Sequence, residues 1–127
     1  MNACGLDAGS VSRADQSVEG GENALEELLV AHPDVTAVFT FNDIIAIGAL
    51  RAARRLGRQI PRDLAVIGFD GLQLGGLVEP PLSTVALDTR GLGALAVEQA
   101  ARMLTRSTPL SRDELVVTAE LRLRESA

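Results

Sequence analysis

Apolar positions along this chain switch repeatedly between two spacings. Between Val18 and Ala31, Ala24, Leu25, Leu28 and Leu29 fall on one face while Glu22, Glu26 and Glu27 turn outward, which predicts an amphipathic helix. His32-Pro33 stops it. Val35 to Phe41 is a short run rich in apolar side chains and reads as a strand. Helical spacing returns from Asp43 to Leu56, with Gly57 at the position after the helix and Pro61 beyond it. Leu64 to Phe69 and Thr84 to Leu87 read as strands, Gly91 to Thr105 as a third helix, and Leu115 to Thr118 as a last strand. A loop with Gly71, Gly75, Gly76 and Pro80-Pro81 separates the second and third strands. Residues 1–10 read as the tail of a helix that breaks at Gly5, and residues 11–16 as a weak strand. Strands alternating with helices of this length predict βαβ crossovers, hence an α/β fold with a mainly parallel sheet flanked by helices.

Two of the predicted strands echo one another. TAVFTFND (Thr36 to Asp43) and LAVIGFDG (Leu64 to Gly71) each end in Phe followed by an Asx residue, Asn42 and Asp70. In a parallel α/β sheet, ligands sit beyond the C-terminal ends of the strands. If the two strands are neighbours, an amide and a carboxylate line one mouth of the sheet and can exchange hydrogen bonds with a small polar ligand. The same residues have plainer roles open to them: Asn42 as the cap of helix 43–56, Asp70 as the holder of an Asp-Gly turn. For Asn42 the two roles are compatible.

Helix 43–56 carries apolar residues on two sides. Ile45, Ala49, Ala52 and Leu56 share a face suited to the sheet. Ile44, Ile47 and Gly48 lie on the other side, which suggests a partner surface unless a neighbouring loop covers them. Arg51, Arg54 and Arg55 continue that side as a solvated stripe.

Length and charge narrow the classes. A chain of 127 residues fits one domain with a real core, and 46% hydrophobic against 23% charged residues is ordinary soluble composition. With three Phe, no Trp and no Tyr, that core must be aliphatic. The net charge is −5, and of twelve basic residues, all Arg, eleven lie at or after Arg51. Such a chain is a poor binder of duplex DNA by itself, because that affinity comes from neutralised phosphates. Cys4 is the only cysteine, so no internal disulfide is possible and cytosolic placement is the default expectation. No apolar run approaches the roughly 18 residues of a membrane span, and MNACGLDAGS has neither the basic nor the apolar segment of a signal peptide.

The chemistry-bearing patterns are few. GLGALA (Gly91 to Ala96) fits the dinucleotide pattern G-x-G-x-x-A, with Glu114 about twenty residues on from Gly93. The intervening charges of Asp88 and Arg90 sit where pyrophosphate would need bare backbone, and Leu92, Ala96, Ala100 and Met103 make a plain amphipathic stripe with Glu98 and Arg102 paired opposite. His32 is the single histidine, no G-x-S-x-G is present, and no acids cluster at metal-ligand spacing. The expectation is a protein that is not an enzyme and needs neither cofactor nor metal.

TAVFTFNDIIAIGALRAARRLGRQIPRDLAVIGFDG, then PPLSTV at 80–85, LGALAVEQAARML at 92–104 and the ending ELRLRESA together resemble the LacI-type bacterial transcription regulators, from about Ala24 to the C-terminus. The resemblance implies one lobe of a two-lobed, periplasmic-binding-protein-like (type I) effector domain. It implies that Asn42 and Asp70 hydrogen-bond a sugar, nucleoside or similar effector. It further implies a homodimer formed through the helix matching 43–56 and the loop matching 71–79, with Ile44, Ile47, Leu72, Leu77 and Val78 at the interface. In that family a DNA-binding headpiece and an N-terminal lobe precede the matched region, so residues 1–127 are expected to be a truncated C-terminal lobe without a DNA-binding domain. The helix at 91–105 would pack on the other lobe, and its apolar stripe would stand exposed without it. Operator DNA would be reached only through the headpiece. The rival readings are the corresponding lobe of a sugar-transport solute-binding protein and, on GLGALA, an NAD-linked oxidoreductase.

Overall fold

The computed structural model describes residues 9–105 and 117–127. The expected helix tail at residues 1–10, with Cys4, falls almost wholly outside them, as do Leu115 and Val116 of the expected last strand. Helix α1 (Val18–Ala31) is followed by strand β1 (Ala37–Phe39), helix α2 (Asp43–Arg55), β2 (Ala65–Asp70), a 3-10 turn (Gln73–Gly76), β3 (Ser83–Leu87), helix α3 (Thr89–Thr105) and β4 (Ala119–Arg122). Residues 11–16 form no strand. The last strand is four residues later than expected from Leu115 and runs antiparallel, so the sheet is mixed, in the order β1-β2-β3-β4 with its first two pairings parallel.

The helix ends follow local chemistry. The Ser17 hydroxyl accepts from the Gly20 amide at 2.9 Å and starts α1. At the far end of α2, Gly57 takes φ +73 and the amides of Gly57 and Arg58 return to the carbonyls of Arg54 and Ala53, a Schellman stop. The crossover from β1 to β2 uses α2, as expected. The crossover from β2 to β3 contains only the 3-10 turn, so the loop from Gly71 to Leu82 itself carries the chain back to the start of a parallel strand.

α1 and α2 form one layer on one face of the sheet. Leu25 and Leu29 of α1, Ala46, Leu50 and Ala53 of α2, and Leu64, Val66 and Leu82 from the sheet side make the core. The helices cross at two glycines. A Cβ on Gly48 would lie 2.0 Å from the Val18 carbonyl oxygen, and one on Gly21 would lie 2.2 Å from that of Ile45. Glu22 reaches Arg51 and Arg55 at 3.0 and 3.1 Å beside this crossing. Both arginines are more than half exposed, so solvent screens these pairs and close backbone packing dominates.

At the N-terminal edge of the parallel strands, Ser126 is fully buried. Its hydroxyl donates to the Val66 carbonyl at 2.6 Å and accepts from the Ser83 amide at 2.8 Å, stitching β2 to β3. α3 stands apart from the core. Val97, Met103 and Leu104 are exposed, the last at 89%. The opposite face of the sheet presents Phe39, Ile67, Phe69, Val85 and Leu121, half-buried or exposed.

The glycine crossing yields a direct test. Gly48→Ala should lower stability by about 2 kcal/mol or more, because the helices must separate to admit the methyl group. Gly93→Ala, in α3 with open space around it, should instead be neutral or gain up to about 1 kcal/mol. Urea unfolding midpoints compare the two; equal midpoints would remove the close crossing as a determinant of the fold.

Candidate functional site

The parallel ladder of β1 and β2 pairs residue i with residue i+28: Ala37 with Ala65, Phe39 with Ile67. The Thr40 amide extends it by bonding the Ile67 carbonyl at 2.9 Å. Carried on, that register brings the chain at Asn42 level with Asp70, at the C-terminal edge of the sheet. The strand echo thus follows the parallel register: Asp70 is the last residue of β2, and Asn42 lies three residues beyond the end of β1 as the cap of α2.

Asn42 caps α2. Its side-chain oxygen accepts from the Ile45 amide at 2.9 Å, and the buried Thr40 hydroxyl donates to the Asn42 carbonyl at 2.9 Å. With the oxygen engaged, the amide nitrogen is the group left to donate outward. Asp70 sits at φ 110, a left-handed backbone conformation rare for a non-glycine residue. Gly71 follows at φ +78 and passes so close to β3 that a Cβ there would lie 2.4 Å from that of Ala86. Among the described residues no hydrogen bond engages the Asp70 carboxylate. Desolvation, and then repulsion from Asp43, hold its pKa above the usual carboxylate value.

Asp43 is the residue that the sequence reading passed over. It is 0% exposed. The Thr84 hydroxyl donates to Oδ1 at 2.6 Å and the Leu72 amide donates to Oδ2 at 2.6 Å. The Gly71 amide in turn donates to the Thr84 hydroxyl at 3.3 Å. Space for the carboxylate is made by Gly68, whose Cβ would lie 2.2 Å from Oδ1. A glycine inside a strand is the sequence signal for such a close approach. The chain's three phenylalanines were also passed over as site residues. Phe39 and Phe69 meet edge to face with centroids 6.4 Å apart, and Phe41, beside Asn42, is 73% exposed.

The expected interface residues do not share one environment. Leu77 is 82% exposed and Leu72 is partly so, both on the loop that leaves Asp70. Ile44 and Val78 are half-buried, and Val78 packs against the core. Ile47 is 7% exposed and belongs to the core, and Gly48 is covered by α1. The second apolar side of α2 is thus closed at those two positions by intramolecular packing, whereas Leu56, expected on the sheet, is half exposed. Arg51 and Arg55 are ion-paired to α1 rather than simply solvated.

The GLGALA segment lies within α3, where the Gly91 amide bonds the Asp88 carboxylate at 2.9 Å. It therefore forms no strand-to-helix turn to receive a pyrophosphate; Glu114 falls outside the described residues. Among the described residues no group of three or more His, Cys, Asp or Glu could hold a metal ion, and no helix is long and apolar enough to cross a membrane.

Residues 2–127 match the family model of the periplasmic binding protein-like domain. The ribose operon repressor of Halalkalibacterium halodurans is 32% identical over 94% of this chain and 36% of its own length. The HTH-type transcriptional repressor CytR of Escherichia coli is 37% identical over 76% of this chain and 29% of its own. The chain thus spans about a third of the length of these relatives. Among solved structures, a LacI family transcriptional regulator from Arthrobacter sp. FB24 in complex with lactose matches with a TM-score of 0.79 and 41% identity, over 89% of this chain and 42% of that one. A complex of the transcriptional regulator CelR with cellobiose matches with a TM-score of 0.83 and 33% identity, over 99% of this chain and 39% of that one.

The raised Asp70 pKa has a measurable sign. The folded chain holds this proton more tightly than the unfolded chain, so its contribution to stability is fullest below the unfolded carboxylate pKa of about 3.9 and is lost as pH rises through the folded value. Asp70→Asn, which keeps the shape and tolerates the backbone angle, should melt above the native chain at pH 7. The gap should close as pH falls through the Asp70 titration. A pH-independent gap would detach the shift from the site's desolvation and the Asp43 charge.

Proposed function

Since this chain belongs to the periplasmic binding protein-like domain family, we propose that it is the effector-sensing and dimer-forming lobe of a LacI-type transcription regulator. The reading is supported by the register of β1 and β2, which sets Asn42 just beyond the end of one strand and the partly desolvated Asp70 at the end of its parallel neighbour, with Phe39 and Phe69 in edge-to-face contact on the same two strands. A sugar fits that chemistry. Its hydroxyls donate to a carboxylate that no donor among the described residues engages, they accept from the amide, and its C–H faces lie against aromatic rings. The lactose and cellobiose complexes of similar proteins support a sugar as effector.

On this reading a second lobe closes the mouth from above, and α3, with its exposed apolar side chains, packs on that lobe. Operator DNA is contacted by a headpiece outside these 127 residues, in the cytoplasm. Effector binding changes lobe closure and so changes operator affinity, a coupling free energy between two sites. No bond is made or broken, so the function is not enzymatic. The relatives that are transcription regulators support this over a transport solute-binding lobe, whose mouth would have the same geometry.

Titration calorimetry of the regulator carrying this lobe, with lactose, cellobiose and ribose, tests the ligand. At least one should bind saturably, and Asp70→Ala and Asn42→Ala should each weaken it tenfold or more, about 1.4 kcal/mol. Undiminished binding in both variants would dismiss the rim as the site.

For the dimer, Leu77→Glu is the informative change, because Leu77 is exposed and its replacement does not touch the core. Light scattering should then shift toward the monomer mass. An unaltered mass would exclude the Leu72 to Val78 loop from the interface.

A further inference from the structure

We infer that Asp43 is a positioning residue for the effector site: its buried carboxylate sets both Asn42 and Asp70 without itself reaching the ligand. The inference rests on the reading of those two residues as ligand groups. Asp43 is fully buried, so it cannot touch a molecule in the mouth of the sheet. Its bonds nevertheless converge on the two residues that can. Through the peptide bond it is the direct neighbour of Asn42, whose cap starts the helix that Asp43 opens. Through Oδ2 it holds the Leu72 amide at 2.6 Å, two residues beyond Asp70. Through Oδ1 it holds the Thr84 hydroxyl at 2.6 Å, and that hydroxyl receives the Gly71 amide at 3.3 Å.

The two residues following Asp70 are therefore both anchored, and both anchors lead to one carboxylate. This accounts for the backbone angle of Asp70. A non-glycine residue at φ 110 persists only where its surroundings over-determine it. Here the surroundings are the two anchored amides and the tight passage of Gly71 over Ala86. Without the carboxylate, the Leu72 amide and the Thr84 hydroxyl lose their acceptor together, and Asp70 is free to leave the conformation that aims it at the rim. Gly68 belongs to the same device, since any side chain there would occupy the space of Oδ1.

The test compares Asp43→Ala, Asp43→Asn and Thr84→Val by amide hydrogen exchange, with the buried Val66 amide as the internal reference for global opening. In Asp43→Ala, exchange at Gly71 and Leu72 should accelerate at least tenfold more than at Val66. Asn retains one acceptor for Leu72, so Asp43→Asn should restore most of that protection. If Asp43→Ala does not fold, Thr84→Val carries the same comparison at Gly71. Acceleration at Gly71 and Leu72 no greater than at Val66, or no rescue by Asn, overturns the inference and leaves Asp43 as a general stabiliser. Affinity for lactose or cellobiose, whichever the native protein binds, should fall at least tenfold in the variant that loses protection. If protection falls while the native protein binds no sugar, the positioning stands and it is the ligand reading that fails.

Discussion

One buried carboxylate organises the C-terminal edge of this sheet. Asp43 has no exposed surface, and a buried charge without partners costs about 3–5 kcal/mol. The fold must therefore supply donors, and it supplies them from two places far apart in sequence, the loop after β2 and the interior of β3. Satisfying Asp43 fixes how α2 meets both strands, and it dictates glycine at position 68. The shape of the rim follows from this requirement, because Asn42 and the Asp70 turn are the chain's exits from the same knot.

The same carboxylate explains why the rim is chemically unfinished. Desolvation, and after it the charge of Asp43, raises the pKa of Asp70, which has no hydrogen bond of its own among the described residues. An ionised group in that position gains from any incoming hydroxyl donor more than a fully solvated carboxylate would, because less water must be displaced to reach it. The cost of holding Asp70 there is borne by the fold before a ligand arrives.

Much of the fold was legible because local signals agreed with the global one. The end of α1 was marked by His32-Pro33, and α2 was bounded by Asn42 and Gly57; in α2 the cap, the periodicity and the stop point the same way. The strand echo anticipated that β1 and β2 are parallel neighbours, paired at a constant offset of 28 residues. What was missed depended on contacts distant in sequence. Helical spacing sets Ile47 across the helix from Ile45, but only the folded packing shows Ile47 buried and Gly48 covered by α1. β4 pairs antiparallel with β3 at a register that no turn residue announces. Asp43 looked like an ordinary first-turn acid, and its partners Leu72 and Thr84 lie 29 and 41 residues away. Gly68 was the available clue, since a glycine in a strand interior weakens the strand unless something must come close.

On the proposed reading, the position of the knot also bears on how a ligand signal would leave the site. Leu72, held by Asp43, is the first residue of the loop that carries the exposed Leu74 and Leu77. That loop runs on to Leu82, whose amide bonds the Gly75 carbonyl at 2.7 Å, and so returns to β3 next to Thr84. Both ends of the loop are thus tied to the elements that hold the carboxylate, and the middle is free to meet a partner surface. A ligand that pulled on Asp70 would act on one end of this loop through two peptide units. It would act on α2 through Asn42, at the end of the helix opposite the Arg54 and Gly57 stop. A rigid link of this kind transmits displacement only if its members move together, and a shared, fully buried hydrogen-bond acceptor is what makes the loop, the helix start and the Asp70 turn a single mechanical unit.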